Sequence, residues 1–224
     1  MTQAQDASEQ PGTPAESGAG FGADMRAAPR SSLMFRTAKL LCETGEYVCV
    51  VRDISATGCR LRLFHMAPPD QHLFLELANG DRYAMERVWT RDDHAGFRFS
   101  CEIDVDHFIA EPSPYPRRPI RLNLKLPADV VVDGVAAPAV LLDLSQQGAR
   151  IDAGRKFAIE QKLWLGVEGQ PQRFGCVRWR NGYTHGLVLQ QGFKLDELAH
   201  YALALQPFGA DPTVPAPAAA ARYG

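Results

Sequence analysis

The chain repeats itself. Asp53-Ile54-Ser55-Ala56-Thr57-Gly58 returns ninety residues later as Asp143-Leu144-Ser145-Gln146-Gln147-Gly148. At the same offset Arg60 matches Arg150, Trp89 matches Trp179, Gly96 matches Gly186, Asp106 matches Asp196, and Leu73-Phe74-Leu75 matches Leu163-Trp164-Leu165. One register held over so many positions is a duplication, so a length of 224 residues is read as two small domains rather than one. Upstream, Arg26-Ala27-Ala28-Pro29-Arg30 matches Arg117-x-x-x-Arg121 at an offset of ninety-one, which puts a one-residue length change between the arginines and the aspartate.

Within each copy the hydrophobic period is two. Leu33 to Cys42 and Glu46 to Arg52 read as strands around a Thr44-Gly45 turn, and Cys59-Arg60-Leu61-Arg62-Leu63 alternates so that both arginines face outward. Pro68-Pro69-Asp70 interrupts, Leu73 to Leu77 resumes up to the hairpin signal Asn79-Gly80, and Tyr83 to Thr90 pairs with Gly96 to Cys101 around Asp92-Asp93. The second copy replays this with Leu122-x-Leu124-x-Leu126, a turn at Asp133-Gly134, a return over Pro138 to Leu144, then Lys162 to Glu168, and Phe174 to Arg180 against Leu187 to Gln190 across Asn181-Gly182. Short antiparallel strands joined by tight turns predict a small closed barrel or sandwich in each copy. A short helix is expected after each, over Val105 to Ala110 and on the face formed by Leu195, Leu198, Ala202 and Leu205. The resulting boundaries are a disordered tail over 1–30, a first domain over 31–110, a stiff Pro-rich linker over 111–116, a second domain over 117–208 and a disordered tail over 209–224.

Composition narrows the function. A formal net charge of −2 argues against bulk attraction to DNA or anionic membrane, so any anion site must be a local gathering of arginine. No run of about twenty apolar residues is present for a membrane span, and the N-terminus lacks the basic and apolar regions of a signal peptide, so the chain is expected in the cytoplasm. The five cysteines form no C-x-x-C and read as reduced, mostly buried thiols. The six histidines form no metal-ligand spacing, and His94 and His185 are expected at the surface. No cofactor or metal is expected, and no nucleophile–base pair or phosphate-cradling glycine loop points to an enzyme. Trp89 and Trp179 are read as barrel core.

The segment from Arg117 to Arg150 carries the chemistry. Arg117, Arg118 and Arg121 can grip an anion, and Asp143, Ser145 and Gly148 can approach a base or sugar edge, with Arg150 leaving the same turn. R-x-x-x-R, a strand–turn–strand of about twenty residues, D-x-S-x-x-G, Val177-Arg178-Trp179 and a last strand starting at Gly186-Leu187-Val188-Leu189 resemble the PilZ domain. That resemblance covers both repeats and is strongest in the second. It implies a tandem of six-stranded antiparallel β-barrels, each with a C-terminal helix, and binding of the bacterial second messenger cyclic di-GMP. The ligand's two phosphates and two guanines suit arginine, which meets phosphate oxygens and guanine O6 and N7 bidentately and stacks on purines. Asp143 is then expected to accept guanine N–H groups, Ser145 to reach a phosphate or ribose oxygen, and Gly148 to supply a positive φ and a close approach.

By the same resemblance the protein is a regulatory adaptor that rearranges its domains on binding ligand and changes its contacts with a protein partner in motility, biofilm or polysaccharide machinery. The alternative is a ligand-independent interaction module that uses the barrels as scaffolds. The first repeat offers a second, less complete set, Arg26, Arg30, Asp53, Ser55 and Gly58, in which the arginines fall within the tail and Arg36 lies in the first strand.

Overall fold

The computed structural model describes residues 31–114 and 118–207, with residues 31–34 as backbone only. Arg26, Arg30, Arg117 and the two tails expected to be disordered, 1–30 and 209–224, lie outside the described residues. The described chain forms two closed antiparallel barrels of six strands, each followed by a short helix. The first comprises β1 (Ser31–Cys42), β2 (Gly45–Ser55), β3 (Gly58–Leu63), β4 (His72–Glu76), β5 (Arg82–Arg91), β6 (His94–Phe99) and α1 (Val105–Ala110). The second comprises β7 (Arg121–Val132), β8 (Val135–Ser145), β9 (Gly148–Asp152), β10 (Lys162–Gly166), β11 (Arg173–Asn181), β12 (Thr184–Leu189) and α2 (Leu195–Ala204). The strands run β1-β2-β3-β6-β5-β4 around one barrel and β7-β8-β9-β12-β11-β10 around the other, so the two copies share one topology.

Alternation builds the cores as expected. In β3, Cys59, Leu61 and Leu63 are buried while Arg60 and Arg62 point outward. The Asp133-Gly134 turn takes φ of 50° and 80°, the left-handed pair that matches strand twist in a two-residue hairpin. The last hairpin turns one residue later than expected: Asn181 still belongs to β11, and Gly182, with φ of 61°, fills the role that Asp92 plays in the first barrel with φ of 51°.

Bulges account for the main departure from the sequence reading. The ladder shifts between Val177 and Trp179 against β12, and between Arg87 and Trp89 against β6. One extra residue sends the next side chain to the opposite face, so Val177 is inside its barrel and Trp179 is outside. The tryptophans are therefore not core residues: Trp89 and Trp179 lie on the outer surface, 41% and 45% exposed, and each indole rests on the glycine of the neighbouring strand, Gly96 or Gly186. A Cβ at either glycine would overlap the indole, which explains why tryptophan and glycine recur together at the repeat offset.

The two barrels pack directly. Val48 points out of the first barrel, yet it belongs to the buried cluster of the second, beside residues of α2. Gln206, just past α2, accepts from the Glu46 backbone N–H at 2.6 Å and donates to the Glu46 carbonyl at 2.9 Å. Arg36, inside β1, donates to the carbonyls of Phe108 and Ile109 at the end of α1 and pairs with Glu111 at 3.1 Å, satisfying a helix C-terminus.

Two smaller expectations are corrected. All five cysteines are reduced thiols outside any disulfide, but only Cys49 and Cys59 are buried, Cys42 and Cys176 being half-buried and Cys101 exposed. Burial pushes the Cys42 thiol up to about 12, and raises Cys49 and Cys176 as well, so these sulfurs stay protonated at neutral pH and are poor nucleophiles. His185 is not a surface residue: it is fully buried, stacks against Phe157, and its Nε2 accepts the Phe157 N–H at 3.0 Å, because its strand position turns it into the barrel end. Burial lowers its pKa below the ordinary 6.5, with Arg180 acting in the same direction. His94 does lie at the surface, against Asp93.

Candidate functional site

Three adjacent strands of the second barrel bring the charged residues together on its outer face. Arg121 opens β7 opposite Ser145 on β8, and Asp143, two residues back, stands opposite Arg150 on β9. A bulge between Leu141 and Asp143 lets Leu141 and Leu144 both enter the core while Asp143 faces outward. Asp143 then receives both guanidiniums: Arg121 Nη1 lies 2.8 Å from Oδ1 and Arg150 Nε lies 2.6 Å from Oδ2. The carboxylate is 5% exposed beneath them, whereas the arginine side chains remain 47% and 42% exposed. Each guanidinium carries five donors, so the carboxylate fixes one edge of each fork and leaves others directed at solvent.

The turn after Asp143 is held by its own side chain. Ser145 is buried and its hydroxyl donates to the Gly148 carbonyl at 3.0 Å, so it shapes the D-x-S-x-x-G turn from within. The positive φ expected at Gly148 is not found; glycine is required there because a Cβ would overlap the carbonyl oxygen of Leu187 on β12. Gly148 pairs with Val188, Arg150 pairs with Gly186, and Trp179 rests on Gly186, so an exposed indole borders the arginine face. Arg118 is exposed ahead of β7, and Arg117 is outside the described residues. Arg121 is the first residue of β7.

The first barrel repeats part of this surface. Arg60 Nε lies 2.7 Å from Asp53 Oδ2, and Ser55 donates to the Gly58 carbonyl at 3.1 Å. A Cβ at Gly58 would overlap the Phe97 carbonyl oxygen, the counterpart of the contact at Gly148. A shallow pocket beside this pair is lined by Arg60, Trp89, Arg91 and His94. Among the described residues no group of three or more His, Cys, Asp or Glu could hold a metal ion, and no helix is long and apolar enough to cross a membrane.

Sequence reading missed the residues that tie β7 to the other barrel: Lys39 and Glu46 on the first barrel and Asn123 on β7 itself. Outward positions in an alternating strand read as surface, and nothing in a single sequence marks them as covered.

The PilZ domain family matches twice, over residues 24–110 and 115–203. The chain belongs to the PilZ family. Both PilZ matches reach across the barrels described above, and the first takes in Arg26 and Arg30. No match is found among curated proteins. Among solved structures the chain is similar to Borreliella burgdorferi PlzA, solved in complex with c-di-GMP, at 11% identity and a TM-score of 0.32, covering 75% of this chain and 87% of that one. It is similar to K. pneumonia MrkH in its apo state at 9% identity and a TM-score of 0.31, covering 76% and 86%. It is also similar to the Bacillus subtilis inhibitor of motility, MotI/DgrA, at 13% identity and a TM-score of 0.31, covering 76% and 95%.

Proposed function

We propose that the second barrel is a receptor for cyclic di-GMP and that the chain is a regulatory adaptor rather than an enzyme. The observation that carries this is the convergence of Arg121 and Arg150 on the shielded Asp143, which presents two oriented, half-exposed guanidiniums side by side. Paired forks of this kind suit a ligand that offers phosphate oxygens and the O6 and N7 edge of guanine within one small molecule. Arg117 and Arg118, immediately before β7, add charge from the linker side. Asp143 orients the arginines and keeps lone pairs for guanine N–H groups. Ser145 and Gly148 serve by fixing the turn. Membership of the PilZ family supports the same ligand, and the neighbour PlzA was solved with it.

In this reading the first barrel, with its Asp53–Arg60 pair, is a partial copy of the site, and binding stoichiometry reports whether Arg26 and Arg30 complete it. The output is a protein partner engaged according to ligand state. Calorimetry of the full chain with cyclic di-GMP tests the proposal. Arg121→Ala removes one bidentate arginine and is expected to weaken binding by roughly ten- to hundredfold, the value of about 1–3 kcal/mol for such a contact. An unchanged affinity eliminates the site as drawn, and no binding by the parent protein favours the ligand-independent scaffold.

A further inference from the structure

Lys39 sits on β1 between Ala38 and Leu40, whose side chains are fully buried inside the first barrel. Strand alternation therefore points Lys39 outward, where a lysine is normally solvated. Its side chain is instead only 6% exposed, because the start of β7 covers it. The ammonium donates to Glu46 Oε2 at 2.8 Å and to the backbone carbonyl of Arg121 at 2.9 Å, and it forms an ion pair with Glu76 Oε1 at 3.0 Å. Glu46 completes the clamp from the same barrel. Its Oε2 accepts the Asn123 backbone N–H and its Oε1 accepts the Asn123 side-chain amide, both at 2.8 Å. Arg82 neutralises the remaining carboxylate oxygen of Glu76 at 2.6 Å.

The first two outward positions of β7, Arg121 and Asn123, are thus tied by backbone and side chain to the other barrel. One of them carries the guanidinium that meets Asp143. We infer that Lys39, with Glu46, is a positioning residue for Arg121, so that the ligand site of the second barrel is complete only when the first barrel is docked against it. This rests on the receptor reading above. Ile120, buried in the core of the second barrel, anchors the chain just before Arg121, but Arg121 is the first residue of its strand and pairs only with β8 there, so without the clamp its backbone is held from one side and its guanidinium would spend part of its time off Asp143. The clamp holds the carbonyl of the very residue whose side chain meets the ligand, and this gives a ligand at one barrel a direct hold on the contact between the two.

The test is a binding cycle in the full chain, using cyclic di-GMP itself as the probe. Lys39→Met is expected to weaken binding by about three- to tenfold, less than the full value of a hydrogen bond from a charged donor because the loss reaches the ligand only through Arg121. In an Arg121→Ala background the same change is expected to leave the residual affinity unaltered, whereas a merely structural role would lower both backgrounds alike. Removing a buried ammonium leaves two carboxylates facing each other, so a second variant guards against failure to fold. Asn123→Ala keeps Lys39 paired and breaks only the amide contact to Glu46, with an expected weakening of about two- to threefold. Parent-like affinity in folded Lys39→Met, or in Asn123→Ala where Lys39→Met does not fold, overturns the inference. Equal losses with and without Arg121 overturn it as well. Absence of binding by the parent protein overturns the receptor reading itself and is seen before any variant is made.

Discussion

Asp143→Asn is the sharpest test of how the site is built, because it changes one oxygen to an NH2 group with almost no change of shape. The carboxylate accepts a hydrogen bond from Arg121 at 2.8 Å and forms an ion pair with Arg150 Nε at 2.6 Å, one oxygen to each. An asparagine in the same place keeps one acceptor, so one guanidinium retains its contact and the other meets a donor. A hydrogen bond to a charged group contributes about 1.5–3 kcal/mol when buried. Here the carboxylate is buried but both arginines are roughly half exposed, so screening reduces each contact to about 1 kcal/mol. Losing one contact outright and weakening the other from charged to neutral gives a cost of about 1–2 kcal/mol. For a chain of this size that lowers the melting temperature by roughly 2–8 °C. Differential scanning calorimetry of the ligand-free protein reads the effect. In an Arg121→Ala background the asparagine can turn its oxygen to Arg150, and the cost is expected to fall by about half. A variant as stable as the parent, or one whose loss is the same in both backgrounds, would refute the idea that Asp143 orients two arginines at once.

Two further outcomes follow from the geometry. Gly148→Ala drives a Cβ into the Leu187 carbonyl and must spread β9 from β12, at the expense of the Leu189-to-Gln147 backbone bond of 3.0 Å, so a loss of about 2–4 kcal/mol is expected in denaturant titration; Gly134→Ala, at a left-handed position with open space, should cost only about 1–2 kcal/mol, and equal losses would contradict the close-approach explanation. His185 has a folded-state pKa below the ordinary 6.5, so the unfolded chain takes up the proton first; its contribution to stability is complete well above 6.5 and is lost as pH falls through 6.5, and His185→Gln is expected to flatten this part of the pH–stability curve, with His65, lowered by burial as well, contributing in the same range.

The repeat offset carried most of the architecture. It gave two copies of one barrel, and the period-two pattern placed most strands within a few residues of their ends and α1 at its observed bounds. What escaped were features that break the period locally. A bulge beside Val177 turned Trp179 outward, and a bulge beside Leu141 set Asp143 on the outer face with core leucines on either side. A single inserted residue leaves no mark in composition. The charged half of the site was legible because arginine and aspartate spacing is itself the signal. Lys39 and Glu46 were not, since their burial is imposed by a domain more than seventy residues away in sequence. The arginine cluster illustrates the same point: spacing grouped Arg121 with Arg117 and Arg118, whereas β7 already holds Arg121.

The contact between the barrels joins unlike faces: the outer side of β1 and β2 on one copy receives β7 and the end of α2 from the other. Such a head-to-tail arrangement has no internal reason to stop, and an identical copy offering the same face would accept another behind it. In the second barrel that face has been rewritten. Lys39, Glu46 and Val48 correspond to Asp129, Ala136 and Pro138, all exposed, so a further barrel would find a carboxylate where its backbone carbonyl needs an ammonium and a proline where its helix needs an aliphatic side chain. Growth by this contact ends at two.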